Sequence, residues 1–107
     1  MNQISDNTLI VNNLNFILGE MRAQPEVAKY YNNNMLTYAE HLAQIHEFIA
    51  DAGEYGLAYE YIVGALDSIP FSLTGAAAVK LLEIGLLMGF KSEQEIDKRF
   101  DRRTVQR

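Results

Sequence analysis

The chain contains no cysteine. Disulfide bonds and thiolate metal sites are therefore excluded, and the composition fits a reducing compartment, so we expect a cytoplasmic protein. Glycine and proline are scarce, with 7 and 2 copies in 107 residues, and 49% of the residues are apolar. These values are typical of a globular protein, and the length predicts a single domain with one modest core.

Long hydrophobic runs are absent as well. The most apolar stretch, 73–88, is too short to cross a bilayer comfortably, and it carries Lys80 and Glu83 near its middle. The first residues, MNQISDNTL, lack the basic and apolar regions of a secretory signal. We therefore expect a buried helix at 73–88 and no membrane partner.

Basic residues are missing from the middle of the chain. Between Lys29 and Lys80 there is no lysine or arginine. The acidic residues of this segment are Glu40, Glu47, Asp51, Glu54, Glu60 and Asp67. The net charge of −5 argues against direct nucleic-acid binding, whereas one-sided acidity on a folded domain favours a basic partner.

The spacing of apolar residues is helical throughout. Alternating patterns and Asn-Gly or Asp-Gly turns are absent, so strands are not expected. The sequence predicts an all-α fold, a compact antiparallel bundle of four to five helices that forms one domain over residues 1–100. Residues 101–107 are expected to be a frayed tail.

Two helices are predicted in the first half of the chain. The first begins at Ser5 or Asp6 and ends at Gln24-Pro25, and its buried positions are Ile10, Leu14, Ile17 and Met21. The second begins at Pro25, is interrupted or kinked by the asparagine run 32–34, and ends at Gly53. Its apolar seam consists of Met35, Tyr38, Leu42, Ile45, Ile49 and Ala52. Its opposite face consists of Glu40, Gln44, Glu47 and Asp51.

Two or three helices are predicted in the second half. A helix over 55–68 has its core face at Leu57, Ala58, Tyr61, Ile62, Ala65 and Leu66. Its opposite stripe is Tyr59, Val63 and Asp67, with Glu60 beside it. A helix over 73–88, capped by Ser72, is apolar almost all round and is therefore expected at the centre of the bundle. A capping box, Ser92 with Glu95, predicts a last helix over 93–100.

No catalytic or metal-binding pattern is present. His41 and His46, the two histidines, are five residues apart and do not share a helix face. His46-Glu47 begins like a zinc-protease motif but lacks the second histidine. A nucleophile elbow and a glycine-rich phosphate loop are also missing. We expect neither an enzyme, nor a metal, nor a cofactor.

The six tyrosines lie within or at the border of the acidic segment. Exposed tyrosines among carboxylates are typical of protein interfaces, whereas the plainer interpretation is a tyrosine with a solvated hydroxyl and no binding role. We predict an interface in which Tyr55 and Tyr59 are anchors and the carboxylates steer the partner. The predicted contact residues are Glu47, Asp51, Glu54, Tyr55, Tyr59, Glu60, Val63 and Asp67.

Two segments resemble a known group of proteins. The first, 45–62, contains the run Gly-Glu-Tyr-Gly-Leu-Ala-x-Glu, and the second, 77–90, ends in Leu-Met-Gly-Phe. Together they resemble small helical bacterial immunity proteins, which neutralise polymorphic toxins, including those of contact-dependent growth inhibition. The resemblance covers residues 42–90. The run also has a structural interpretation, because Gly53 ends one helix and Glu54 lies at the positive end of the next.

The resemblance implies a cognate toxin C-terminal domain, often a nuclease, as the partner. Nucleases tend to have basic clefts, which an acidic helical face would suit, so the predicted function is an antitoxin that occludes its toxin. The alternative is a self-associating helical adaptor without a toxin partner. Its homodimer would form through the small residues Gly75, Ala78 and Gly85 and the apolar fourth helix.

Overall fold

The computed structural model of the chain describes residues 5–32, 34 and 36–89. These residues form helices α1 (Asp6–Arg22), α2 (Tyr38–Ala50), α3 (Tyr55–Ser68) and α4 (Gly75–Met88), with a 3₁₀ helix (Pro25–Tyr30) between α1 and α2. No strand occurs in this part of the chain, and the predicted all-α bundle is confirmed. Met35, the predicted helix 93–100 and the tail 101–107 lie outside the described residues.

Side-chain caps set the start of α1 and of α2. The N–H of Thr8 donates to Oγ of Ser5 at 3.1 Å, so α1 begins where the sequence predicts. At α2, the N–H of Glu40 donates to Oγ1 of Thr37, and the N–H of Thr37 donates to Oε1 of Glu40, at 3.1 and 3.0 Å. This capping box was not recognised in the sequence. The predicted second helix is therefore two elements, the 3₁₀ helix Pro25–Tyr30 and α2.

The seam predicted for α2 is buried at Leu42, Ile45 and Ile49. Ala52 is exposed, because the helix ends two residues before it. Gly53 follows with φ at 63°, in the left-handed region that favours glycine. The predicted stop at Gly53 is thus confirmed, and it sets up the turn into α3.

The end of α1 holds the beginning of α4. Thr74, and not the predicted Ser72, caps α4, since its Oγ1 accepts the N–H of Ala77 at 3.1 Å. The Thr74 hydroxyl and N–H donate to Glu20 at 2.6 and 3.0 Å, and these two bonds hold the pKa of the Glu20 carboxyl below its ordinary value. The N–H of Ser72 donates to Oε1 of Gln24 at 2.8 Å, and Nε2 of Gln24 donates back to the Ser72 carbonyl at 2.7 Å.

The central helix is α1. It packs against α2, α3 and α4, and its fully buried apolar side chains are Leu14, Ile17, Leu18 and Met21. The prediction that the fourth helix is central is wrong. Helix α4 packs mainly on α1, and Val79 and Leu82 on its outer side are 65% and 61% exposed. An apolar helix becomes central only if neighbours cover every side, and the described residues supply no neighbour for the outer side of α4.

A buried polar link joins α1 to α4. Asn13 is buried, and its Nδ2 donates to Oε1 of Glu83 at 2.8 Å and to the Lys80 carbonyl at 3.3 Å. Asparagine is a poor helix former. Its place in α1 is explained by this link, because a satisfied buried amide fixes how two helices meet.

Tyr59 on α3 faces α4. The side chain is half-buried and packs against the core, and its Oη lies 2.8 Å from the position that a Cβ on Gly85 would take. The prediction that Tyr59 lies on the exposed stripe of the third helix is therefore wrong. Gly85, in turn, is where α4 comes close to α3.

We expect alanine substitutions at two helical glycines to have different effects on stability. A Cβ at Gly64 meets no heavy atom within 4 Å, so Gly64→Ala should raise the free energy of unfolding by up to about 1 kcal/mol through helix propensity. Gly85→Ala should give no such gain, because Tyr59 has to move. Urea unfolding measures both changes. In a double-mutant cycle, Tyr59→Phe should restore part of the gain at Gly85, and full additivity would contradict the close contact.

Candidate functional site

Two acidic stripes point away from the core on α2 and α3. On each helix, the residues opposite the buried positions recur at intervals of three or four and so share one face. The stripe on α2 consists of Glu40, Gln44, Glu47 and Asp51, of which the three carboxylates are exposed. The stripe on α3 consists of the exposed residues Glu60, Val63 and Asp67. The predicted outer faces of both helices are confirmed at these positions.

Aromatic side chains fill the seam between α2 and α3. The ring of Tyr61 meets the ring of Phe48 edge-on at 4.9 Å between centroids, and it lies 5.8 Å from the imidazole of His41. Tyr61 and Leu57 were predicted to lie in the core, but they are 37% and 39% exposed. Both occupy the flank of α3 that faces α2, where a large side chain reaches from the core to solvent. The two helices thus present apolar surface between their acidic stripes.

A cavity of 180 Å³ adjoins this seam and is lined by Tyr31, Leu36, His41 and Tyr61. Oη of Tyr31 and Nδ1 of His41 are hydrogen-bonded at 2.9 Å. Burial lowers the pKa of the His41 imidazole below its ordinary value, so the ring is neutral at pH 7. Burial also raises the pKa of the Tyr31 phenol. The described residues that line the cavity are therefore uncharged at pH 7.

A wider depression of 490 Å³ runs along the solvent side of α2. It brings together three carboxylates, Glu40, Glu47 and Asp51, and shares Leu36 with the smaller cavity. Glu47 and Asp51 belong to the predicted contact set, whereas Glu40 was placed only on the outer face. The exposed carboxylates make this surface suitable for a basic group.

The remaining predicted contact residues lie at the start and on the flank of α3. Glu54 is the exposed N-cap residue of α3, and its side chain makes no capping hydrogen bond. Tyr55 and Tyr59, the two predicted anchors, are half-buried and pack against the core. Tyr61 is the most exposed of the three tyrosines of α3, and it was not among the contact residues predicted from the sequence. The available signal was its position directly before the core residue Ile62, which turns it onto the flank of the helix.

The described residues contain no group of three or more histidine or acidic side chains that could hold a metal ion. Every helix in the same part of the chain is too short or too polar to span a membrane.

No protein-family model matches the chain, and neither a curated protein nor a solved structure is significantly similar to it. The resemblance to immunity proteins therefore stays a prediction, and the function has to be argued from the surface itself.

We expect His41 to make the fold less stable in mild acid. Because its pKa is lower in the folded state, the unfolded chain binds a proton that the folded chain excludes, so the free energy of unfolding falls as the pH drops through about 6.5. Urea unfolding between about pH 5.5 and 7.5 measures this slope.

His41→Gln should flatten that slope. The control His46→Gln removes the exposed histidine of the same helix and should leave the slope unchanged. An equal slope in His41→Gln and in the wild-type chain would contradict this role of His41.

Proposed function

We propose that the chain is an immunity protein that binds and neutralises the C-terminal toxin domain, a nuclease, of a bacterial contact-dependent growth inhibition system. One observation carries the proposal: an exposed apolar seam between α2 and α3 is bordered by two acidic stripes, in a segment without lysine or arginine. The resemblance of residues 42–90 to immunity proteins points to the same function.

The charge distribution suits a basic partner. The carboxylates of both stripes are exposed, so they attract positive charge over a distance and raise the association rate more than the final affinity. Each exposed ion pair contributes little to affinity. The binding free energy must therefore come mainly from surface that loses water in the complex, and Leu57 and Tyr61 supply such surface at the seam.

Occlusion is the mechanism that this surface supports. A nuclease binds the phosphates of its substrate with positive charge. An acidic protein over that cleft neutralises the same charges and keeps the nucleic acid out. The net charge of −5 disfavours direct binding of the chain itself to nucleic acid, because the phosphates repel it.

The outer side of α4 supports the alternative function, self-association. Val79, Leu82 and Leu86 recur at helical spacing on this side and are all exposed. Glu83, which lies beside them, is half-buried and hydrogen-bonded to Asn13. Of the small residues proposed for this contact, Gly75 and Ala78 are exposed, whereas Gly85 is buried beside Tyr59. Exposed apolar patches of this kind mark interaction sites. A homodimer through α4 leaves the α2–α3 surface open.

The proposed function requires a complex between the chain and the toxin domain encoded by the upstream neighbouring gene. We expect the two proteins to co-purify at low salt and the chain to protect cells that express the toxin domain. If the folded chain neither binds nor protects, the immunity assignment is wrong.

We expect the stripe on α3 to control the association rate. The double variant Glu60→Gln/Asp67→Asn should bind the toxin domain roughly tenfold more slowly at low salt, with a smaller difference at high salt, because the steering charge is lost. Stopped-flow fluorescence measures the rate. Asp6→Asn/Glu26→Gln removes the same charge from exposed positions outside the segment and is the matched control. Equal rates for both variants would rule out this face.

We expect Leu82→Glu to abolish any self-association of the chain, because it places a charge on the apolar side of α4. Analytical ultracentrifugation of the isolated protein measures the oligomeric state. Val63→Glu adds the same charge to an exposed apolar position on α3 and should leave a dimer intact. A monomeric wild-type chain at high concentration, or a dimer that survives Leu82→Glu, would contradict this contact.

A further inference from the structure

The cavity beside the α2–α3 seam has the size of a site for a single side chain. Its volume of 180 Å³ is smaller than the roughly 300–1,000 Å³ of pockets that hold small molecules or cofactors. Leu36 and Tyr61 at its edge are 40% and 37% exposed, so it can be reached from solvent.

Three aromatic rings form the walls. The centroid of His41 lies 5.6 Å from that of Tyr31 and 5.8 Å from that of Tyr61, with interplanar angles of 70° and 56°. Rings at this spacing and tilt make edge-to-face contacts, and each tyrosine ring has an electron-rich face. Such faces attract a cation within about 6 Å of the centroid.

The electrostatic surroundings favour a positive charge in this space. His41 is neutral at pH 7 and does not repel a cation. The depression that contains Glu40 and Glu47 shares the Leu36 wall with the cavity. A cation that approaches the cavity from that side passes carboxylates first.

The chain's own lysines show the same chemistry at two other places. Nζ of Lys29 lies 5.4 Å from the centroid of Tyr30, and Nζ of Lys80 lies 5.0 Å from the centroid of Phe16. Both described lysines are thus placed over rings outside the cavity. Among the residues that the structure describes, no lysine or arginine lines the cavity.

We propose that this cavity receives one lysine or arginine side chain of the bound partner. The cation would lie among Tyr31, His41 and Tyr61 and be held by cation–π attraction to the rings. The inference rests on the proposed immunity function, because it gives a basic partner its anchor point. It also places that anchor at Tyr61 instead of at the half-buried Tyr55 and Tyr59.

Short peptides test the cavity without the toxin. The probes are acetyl-Gly-Lys-Gly-amide and acetyl-Gly-Arg-Gly-amide, and the control is acetyl-Gly-norleucine-Gly-amide, which has the lysine chain without its charge. Each is titrated into the full chain and followed by NMR signals of the Tyr31, His41 and Tyr61 rings. We expect saturable shifts with at least one basic peptide and binding about threefold or more weaker with norleucine.

Two substitutions distinguish the effect of the aromatic ring of Tyr61 from the effect of its apolar volume. Tyr61→Phe keeps an aromatic face and should keep the preference for the basic peptide, whereas Tyr61→Leu keeps apolar bulk and should lose it. If Tyr61→Leu does not fold, the comparison of peptides on the wild-type chain still decides. The proposal is overturned if no basic peptide gives a saturable shift or if norleucine binds equally well.

The same variants distinguish this inference from the proposed function. Loss of the peptide preference together with weaker toxin binding in Tyr61→Leu supports both. Toxin binding with unchanged affinity in Tyr61→Leu preserves the immunity function and overturns the cavity as an anchor. Peptide binding without any toxin complex preserves the cation site but removes its proposed role in immunity.

Discussion

Helix α1 must bury one face against three other helices at once, and this constraint fixes the rest of the bundle. Its side chains Leu14, Ile17, Leu18 and Met21 occupy the core. Polar bonds from Asn13 to Glu83, and from the end of α1 to the start of α4, then set the position of α4. Since α4 is held along one side by α1, its opposite side faces solvent. The hairpin of α2 and α3 packs on another side of α1, so its acidic stripes also point outward.

Helix positions and most of the core could be predicted from the sequence, because helical spacing, proline and glycine act locally. Helix α3 has the predicted bounds, 55–68. The arrangement of the helices could not be predicted in the same way. An apolar helix such as α4 fits the centre or an interface equally well by composition, and only the bonds of Asn13 and Glu20 show where it lies. Thr74 was missed as a cap because Ser72, two residues earlier, is an equally good capping residue.

The candidate site was predicted in its charges but not in its aromatic centre. Carboxylates opposite a buried face are exposed whatever the helix packs against, so Glu47, Asp51, Glu60 and Asp67 are where the sequence places them. Tyrosines on the flanks depend on the neighbouring helix. Tyr59 turns toward the space above Gly85, while Tyr61 faces α2 and stays partly exposed. The proposed binding surface therefore has the predicted acidic border, but its proposed anchor is Tyr61 instead of Tyr59.

We propose that the α2–α3 surface, and not α4, binds the toxin domain. Hydroxyl-radical footprinting of the free chain and of its complex tests this claim most directly, because exposed apolar and aromatic side chains on both surfaces react. We expect labelling of Leu57, Tyr61 and Val63 to fall in the complex, while labelling of Val79 and Leu82 is unchanged. Protection of Val79 and Leu82 with no change at Tyr61 would contradict this proposal and would assign toxin binding to α4.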